Sequence, residues 1–155
     1  MILSFICQNS ISQETGNQVR KNLIKGTIAS SGIVNSMISI DYERNIINSK
    51  LIRLNIEGTF GKFFRSYTWD SSQSYPGFPS ITSSINSLLG KKSNFLELSL
   101  GARYSIINDD YYKYINPLFP VFNIGYRYQN LNKSGLIFKV FIGTTGIGLS
   151  TGIAF

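Results

Sequence analysis

The chain has 155 residues, of which 43% are hydrophobic, 14% aromatic and only 15% charged, and its length fits one domain. Its net charge is +7 with a pI near 9.6, but the basic residues are scattered, with Arg20-Lys21 and Lys91-Lys92 the only adjacent pairs; a nucleic-acid partner is not expected, and a basic surface facing anionic lipid headgroups explains the charge as well. No histidine and one cysteine are present, which excludes an internal disulfide framework, Ser-His and Cys-His nucleophile pairs and the commonest metal ligand.

No apolar run approaches the roughly 18 residues that a membrane-spanning helix requires. Contact with a bilayer interior would therefore have to be made by strands, and a closed barrel is the strand structure that leaves no unpaired backbone in hydrocarbon.

In chain order, Ile2 to Cys7 are apolar, and Ser10-Ile11-Ser12 before Gln13 has the small-x-small form of a signal-peptidase site. Residues 1–12 are expected to be a shortened signal-peptide-like segment whose true start lies upstream. Ile6 before Cys7 is not small, which argues against lipid attachment there. Residues 13–22 are expected to be flexible, and 23–155 to form the barrel domain.

A first strand over Ile24–Ser30 is inferred mainly from strand parity, since an even-stranded barrel returns both ends to one side. After the Ser30-Ser31-Gly32 break, Ile33–Arg44 sets Val34, Ser36, Ile38, Ile40 and Tyr42 against Asn35, Met37, Ser39, Asp41 and Glu43. Successive strand residues face opposite sides, so one face is apolar and the other polar. A turn over Asn45–Lys50 leads to Leu51–Lys62, where Ile52, Leu54, Ile56, Gly58 and Phe60 oppose Arg53, Asn55, Glu57, Thr59 and Gly61. Ser80–Leu89 alternates poorly, but Ile81 and Ile85 suit a strand.

Asn94–Ile106 alternates best, with Leu96, Leu98, Leu100, Ala102, Tyr104 and Ile106 against Glu97, Ser99, Gly101, Arg103 and Ser105. Val121–Gln129 opposes Phe122, Ile124, Tyr126 and Tyr128 to Asn123, Gly125, Arg127 and Gln129. Leu136–Thr144 opposes Leu136, Phe138, Val140 and Ile142 to Ile137, Lys139, Phe141 and Gly143. The last ten residues place Ile147, Leu149, Thr151, Ile153 and Phe155 opposite Gly148, Ser150, Gly152 and Ala154.

The expected fold is an all-β, eight-stranded antiparallel up-and-down barrel that crosses a membrane. With Phe155 at the periplasmic edge, Asn45–Lys50, Gly90–Ser93 and Asn130–Gly135 are short inner turns. Phe63–Pro79 and Ile107–Pro117 are then the longer outer loops, the asymmetry usual in outer-membrane barrels. Leu149, Ile153 and the terminal Phe155 read as an assembly signal, which makes membrane lipid and the barrel-assembly machinery the expected partners.

Alternation alone does not separate a membrane barrel from a soluble one with an apolar inside. The polar face here is rich in small residues (Ser99, Gly101, Gly125, Gly143, Gly148, Ser150, Gly152, Ala154), which suits a narrow filled interior. Its charges balance: Asp41, Glu43, Glu57 and Glu97 against Arg53, Arg103, Arg127 and Lys139. Buried charges must be paired, so these eight are expected to form a lumen charge network. Tyr42, Phe60, Phe95, Tyr104, Phe122, Tyr128 and Phe155 lie mostly near strand ends, where aromatic girdles form.

Five segments, Ser39-Ile-Asp-Tyr-Glu-Arg44, Leu88–Gly101, Asn123-Ile-Gly-Tyr-Arg-Tyr-Gln129, Gly135-Leu-Ile-Phe-Lys139 and Gly148–Phe155, resemble in order and spacing a largely uncharacterised family of small outer-membrane β-barrels from Bacteroidetes-type bacteria. The resemblance runs from about Ile33 to the end and implies a barrel and an outer-membrane address. It brings no catalytic residues. The sequence departs from the family at its amino end, where a full signal peptide is expected, and at Thr144-Thr-Gly146, which is shorter than usual and lacks a proline.

The function expected is that of a structural or surface-interaction barrel with a side-chain-plugged lumen, without enzymatic activity, cofactor, metal or known small-molecule substrate. Arg65, Tyr67, Trp69, Tyr111 and Tyr112 are candidate outer-loop contacts, because exposed aromatics with arginine are typical of interaction surfaces. Asp109-Asp110 alone do not surround a cation. The alternatives are a soluble lipocalin-like or fatty-acid-binding-like barrel carrying a hydrophobic ligand, and a narrow porin-like pore.

Overall fold

Where apolar and polar side chains alternate, this chain forms strands that pair with their sequence neighbours. The computed structural model describes residues 21–31, 35–49, 51–65, 77–106, 116–130 and 135–155, without the side chains of Asn35 and Arg65. The strands are β1 (Asn22–Ser30), β2 (Asn35–Asn48), β3 (Ile52–Arg65), β4 (Phe78–Lys91), β5 (Asn94–Ser105), β6 (Leu118–Gln129), β7 (Leu136–Gly143) and β8 (Gly146–Ala154). All pairings are antiparallel, and β8 returns to β1 to close an up-and-down barrel. Among the described residues there is no helix. The signal-like segment 1–12 lies outside the described residues.

The register shows a steep tilt. A path across paired residues from Ala29 near the end of β1 runs through Gly148, Phe141, Gly125, Glu97, Leu88 and Arg53. It arrives at Asn48, the last residue of β2 at the opposite end of the barrel. One circuit thus descends most of the wall, the stagger that strand tilt requires of a closed sheet. The start of β1 and the end of β8 meet at one rim, where Asn22 and Phe155 exchange backbone hydrogen bonds of 3.1 and 2.9 Å. The connections after β2, β4 and β6 share this terminal rim; those after β1, β3, β5 and β7 share the other, the loop rim.

Several boundaries differ from the sequence expectation. β1 begins at Asn22, inside the segment expected to be flexible, because its backbone pairs with both Arg44 and Phe155. β2 runs through the expected turn to Asn48, with a register shift between Asn45 and Ile47. That bulge turns the consecutive Ile46 and Ile47 to the outside together. β3 and β4 extend into the expected outer loop, drawn by Phe63 and Phe78, which turn inward and set their rings 5.5 Å apart. β6 starts at Leu118 rather than Val121.

Two turns are tight. Lys92-Ser93 joins β4 to β5 with Lys92 in the left-handed region. Thr144-Thr145 joins β7 to β8, and Gly146 follows at φ 96°, a backbone that favours glycine. Thr144 caps this end by exchanging hydrogen bonds of 2.9 and 3.0 Å with the Phe122 backbone.

The barrel has no single apolar core. Ala29, Met37, Phe63, Phe78 and Phe141 cluster inside towards the loop rim, and Leu23, Ile137 and Ala154 towards the terminal rim. Glycines on the inner face let strands approach closely. A Cβ on Gly152 would stand 2.0 Å from the Ile24 carbonyl oxygen across the closing β1–β8 seam, whereas one on Gly26, in the same seam, would meet nothing within 4 Å. Gly152→Ala is therefore expected to destabilise the barrel by about 1–3 kcal/mol, with Gly26→Ala near neutral. Urea titration of the refolded variants checks this, and a neutral Gly152→Ala would show that the seam has slack.

Candidate functional site

The inward side chains of six strands meet in one charged layer nearer the terminal rim. Lys25 Nζ of β1 lies 2.9 Å from Glu43 Oε2 of β2 and 2.5 Å from Glu57 Oε2 of β3. Arg127 Nη1 of β6 lies 2.7 Å from Glu43 Oε1 and 3.2 Å from Glu97 Oε2 of β5. Lys139 of β7 closes the series on Glu97 Oε1. The order Glu57–Lys25–Glu43–Arg127–Glu97–Lys139 alternates in sign throughout. Since β2 and β6 are diametrically opposed in an eight-stranded ring, the Arg127–Glu43 pair spans the lumen.

These charges are thoroughly withdrawn from water: Lys25 and Arg127 are 1% exposed and Glu97 0%. Neutral donors fill much of the remaining acceptor capacity. Asn55 Nδ2 donates to Glu43, Asn86 Nδ2 to Glu57 at 2.5 Å, Thr59 Oγ1 to Glu57 at 3.4 Å and Ser99 Oγ to Glu97 at 3.3 Å. Such satisfaction is what a buried ion network requires, because each uncompensated ion costs several kcal/mol.

All eight residues expected to form the lumen network point inward, but they do not act as one set. Glu43, Glu57, Glu97, Arg127 and Lys139 join the ion-paired series. Asp41 instead accepts hydroxyl hydrogen bonds from Thr27 at 2.5 Å and Ser39 at 3.0 Å. Arg53 stacks over the Phe95 ring at 4.8 Å, and Arg103 sits over Phe63 at 4.2 Å and Phe119 at 5.3 Å. Among the described residues Nη1 of Arg53, Nε and Nη1 of Arg103 and Nε of the ion-paired Arg127 have no hydrogen-bond partner.

Sequence reading missed Lys25, which joins two of the five ion pairs among the described residues. With it the described inner face holds five cations, Lys25, Arg53, Arg103, Arg127 and Lys139, against four acids, so the expected even balance is corrected. The signal was present: Lys25, Thr27 and Ala29 alternate with Ile24, Gly26 and Ile28. Phe95 is a second correction. It is buried inside rather than part of an outer girdle, because it shares the face of Glu97.

Of the remaining expected residues, Leu149, Ile153 and Phe155 project from the outer face of the terminal strand segment. Arg65 closes β3, and its side chain lies outside the description; Tyr67, Trp69, Tyr111 and Tyr112 lie outside the described residues altogether. Above the charged layer, Asp41, Glu57, Lys139 and a ring of hydroxyls that includes Thr27, Thr82 and Ser150 enclose a void of about 40 Å³, room for a few waters. Among the described residues no cluster of three or more potential acidic, His or Cys metal ligands occurs.

No protein-family model, curated protein or solved structure matches this chain.

The geometry makes the cross-lumen arginine unequal to its neighbours. Arg127→Met is expected to lower stability by about 3–5 kcal/mol, the usual effect of orphaning buried acids. Arg53→Met, which removes a ring contact but no ion pair, should cost about 1 kcal/mol or less. Equal urea midpoints for the two variants would remove the distinction.

Proposed function

We propose that this chain is a small outer-membrane β-barrel whose lumen is closed by its own side chains, with a structural or surface-binding rather than an enzymatic role. The observation that carries this reading is the segregation of charge. Of the described charged side chains, every one in the middle of the barrel wall points inward. Those that face outward (Lys21, Arg44, Lys62, Lys91 and Lys92) lie towards the rims. Between them runs a continuous belt of exposed Ile, Leu, Val and Phe, with Ile40 67% and Leu100 68% exposed. A water-soluble monomer rarely shows an apolar patch beyond a few hundred Å², whereas a belt of this kind suits acyl chains.

Lys62 supports the same reading. Its ammonium reaches the ring of Phe64, two residues closer to the loop rim, at 5.6 Å, as a snorkelling lysine does. The tyrosine hydroxyls at the other end bond to rim asparagines, Tyr42 to Asn22 at 2.9 Å and Tyr126 to Asn94 at 2.6 Å, in the manner of an interfacial aromatic belt. The resemblance of five segments to small Bacteroidetes-type outer-membrane barrels points the same way.

The interior weighs against the other roles. A carrier of a hydrophobic ligand needs a largely apolar pocket of some 300 Å³ or more, and this lumen is charged, with a void of about 40 Å³. A pore needs a hydrated path, but the ion-paired layer crosses the lumen on one side of the void and Met37, Phe63, Phe78 and Phe141 pack towards the loop rim. With catalysis lacking any histidine to draw on, the role falls to the surface, through the aromatic connections that follow β3 and β5.

Envelope fractionation tests the proposal: the protein should co-fractionate with outer membrane and migrate faster on gels before boiling than after. Recovery in the aqueous phase without detergent would overturn it. A sharper discriminator is Leu100→Lys. In lipid this mid-wall change should cost roughly 2–4 kcal/mol; in a water-exposed wall it would be neutral or improve solubility.

A further inference from the structure

Outward-facing charge on this barrel is unevenly placed. Arg44, Lys91 and Lys92 are exposed at the terminal rim, and among the described residues the exposed side-chain charges there, with Lys21, are all positive. The acids nearest them in sequence, Glu43 and Glu97, are turned inward and ion-paired, Glu43 to Lys25 and Arg127 and Glu97 to Arg127 and Lys139. Among the described residues no salt bridge engages any of these four cations.

These cations are not isolated lysines on a solvated face. Each patch repeats the same chemistry. On β1–β2, Arg44 is the paired partner of Asn22, and Asn22 Oδ1 accepts from the Tyr42 hydroxyl. On β4–β5, Lys91 is the paired partner of Asn94, and Asn94 Oδ1 accepts from the Tyr126 hydroxyl. In both, a cation stands beside an amide whose carbonyl oxygen is already engaged by a tyrosine. The tyrosine fixes the carbonyl oxygen, and the NH₂ donors of each amide remain to be offered outward. A cation with an adjacent amide donor, held at the edge of an apolar wall, is complementary to a phosphodiester oxygen whose acyl chains lie against that wall.

We propose that the terminal rim carries two headgroup sites for anionic phospholipid, one built from Asn22, Tyr42 and Arg44 and one from Lys91, Asn94 and Tyr126, which fix the barrel's depth and select acidic lipid around it. The proposal rests on the outer-membrane reading. Each rim cation near an anionic surface contributes up to about a fivefold preference, and the effect weakens as added salt shortens the screening length to about 3 Å at 1 M.

The test is lipid selectivity of the full chain refolded into vesicles of phosphatidylcholine with 30 mol% phosphatidylglycerol (about a third anionic, enough to compete). Association is read by electron spin resonance of spin-labelled forms of each lipid. Wild type should hold phosphatidylglycerol at least about threefold more strongly at low ionic strength, with the preference collapsing in 1 M salt. The triple variant Arg44→Gln, Lys91→Gln, Lys92→Gln should lose it while retaining heat-modifiable migration, since none of the three touches the lumen network. Lys62→Gln, at the other end, should keep it.

Equal association of the two lipids with inserted wild type overturns the headgroup sites and leaves the membrane reading standing. So does a triple variant that selects as strongly as wild type, or a Lys62→Gln that loses as much. Salt-sensitive capture of polyglutamate by the detergent-solubilised barrel, with the lipids equal, would reassign the rim to an acidic polypeptide. Failure to insert into any vesicle refutes the outer-membrane reading and the headgroup sites with it.

Discussion

A guanidinium and a carboxylate from opposite walls meet on the axis of this barrel. Arg127 on β6 can reach Glu43 on β2 only because the sheet closes at eight strands, which leaves an interior just wide enough for side chains. The same closeness obliges the wall to be small where strands coil most tightly. Gly101, Gly125, Gly143, Gly148 and Gly152 occupy inner-face positions at which an added Cβ would fall within 2.5 Å of another atom. Narrowness, paired charge and glycine content are thus one constraint seen three ways. A wider barrel would strand the ions, and a neutral interior would leave the lysines and arginines of β1, β6 and β7 nowhere to go.

With the charges inward, the outer wall is left mostly to Ile, Leu, Val and aromatic residues. A soluble barrel of this size reverses that arrangement, enclosing its apolar face and hydrating its polar one. Here the two apolar clusters inside are small, and the large apolar side chains stand outside. The stability of such a molecule depends on its surroundings: the backbone ladder and the ion network hold the wall closed, but the outer belt gains little in water. The segregation of charge therefore bears on cellular address more directly than any single residue does.

How much of this was legible beforehand varied strand by strand, for physical reasons. β5 and β6 alternate strictly, so their faces could be assigned without error, apart from Phe95, whose aromatic character masked its parity with Glu97. β4 read poorly because its outer face carries Ser83 and Ser87 among the isoleucines, and its inner face ends on Phe78 and Leu88; small and apolar residues occur on both sides. Lys25 was overlooked because β1 was inferred from strand count rather than from its faces. The reach of β3 and β4 beyond Lys62 was hidden since Phe63 and Phe78 look like loop aromatics until each is seen to need the other.

The one-dimensional pattern by itself determined which residues share a face in the strands that alternate cleanly, because period-two alternation is a local property of extended backbone; the strand count also needed the parity of a closed barrel, and the inward course of the acids and bases needed the small residues and balanced charges of the polar face. The pattern also excluded histidine-dependent catalysis outright. Only the folded barrel decided which charges touch. Pairing across a lumen depends on register, tilt and closure, which place Lys25 beside Glu57 two strands away, Arg127 across from Glu43, and Arg53 and Arg103 on aromatic rings. Those are relations between distant segments, and no local spacing encodes them.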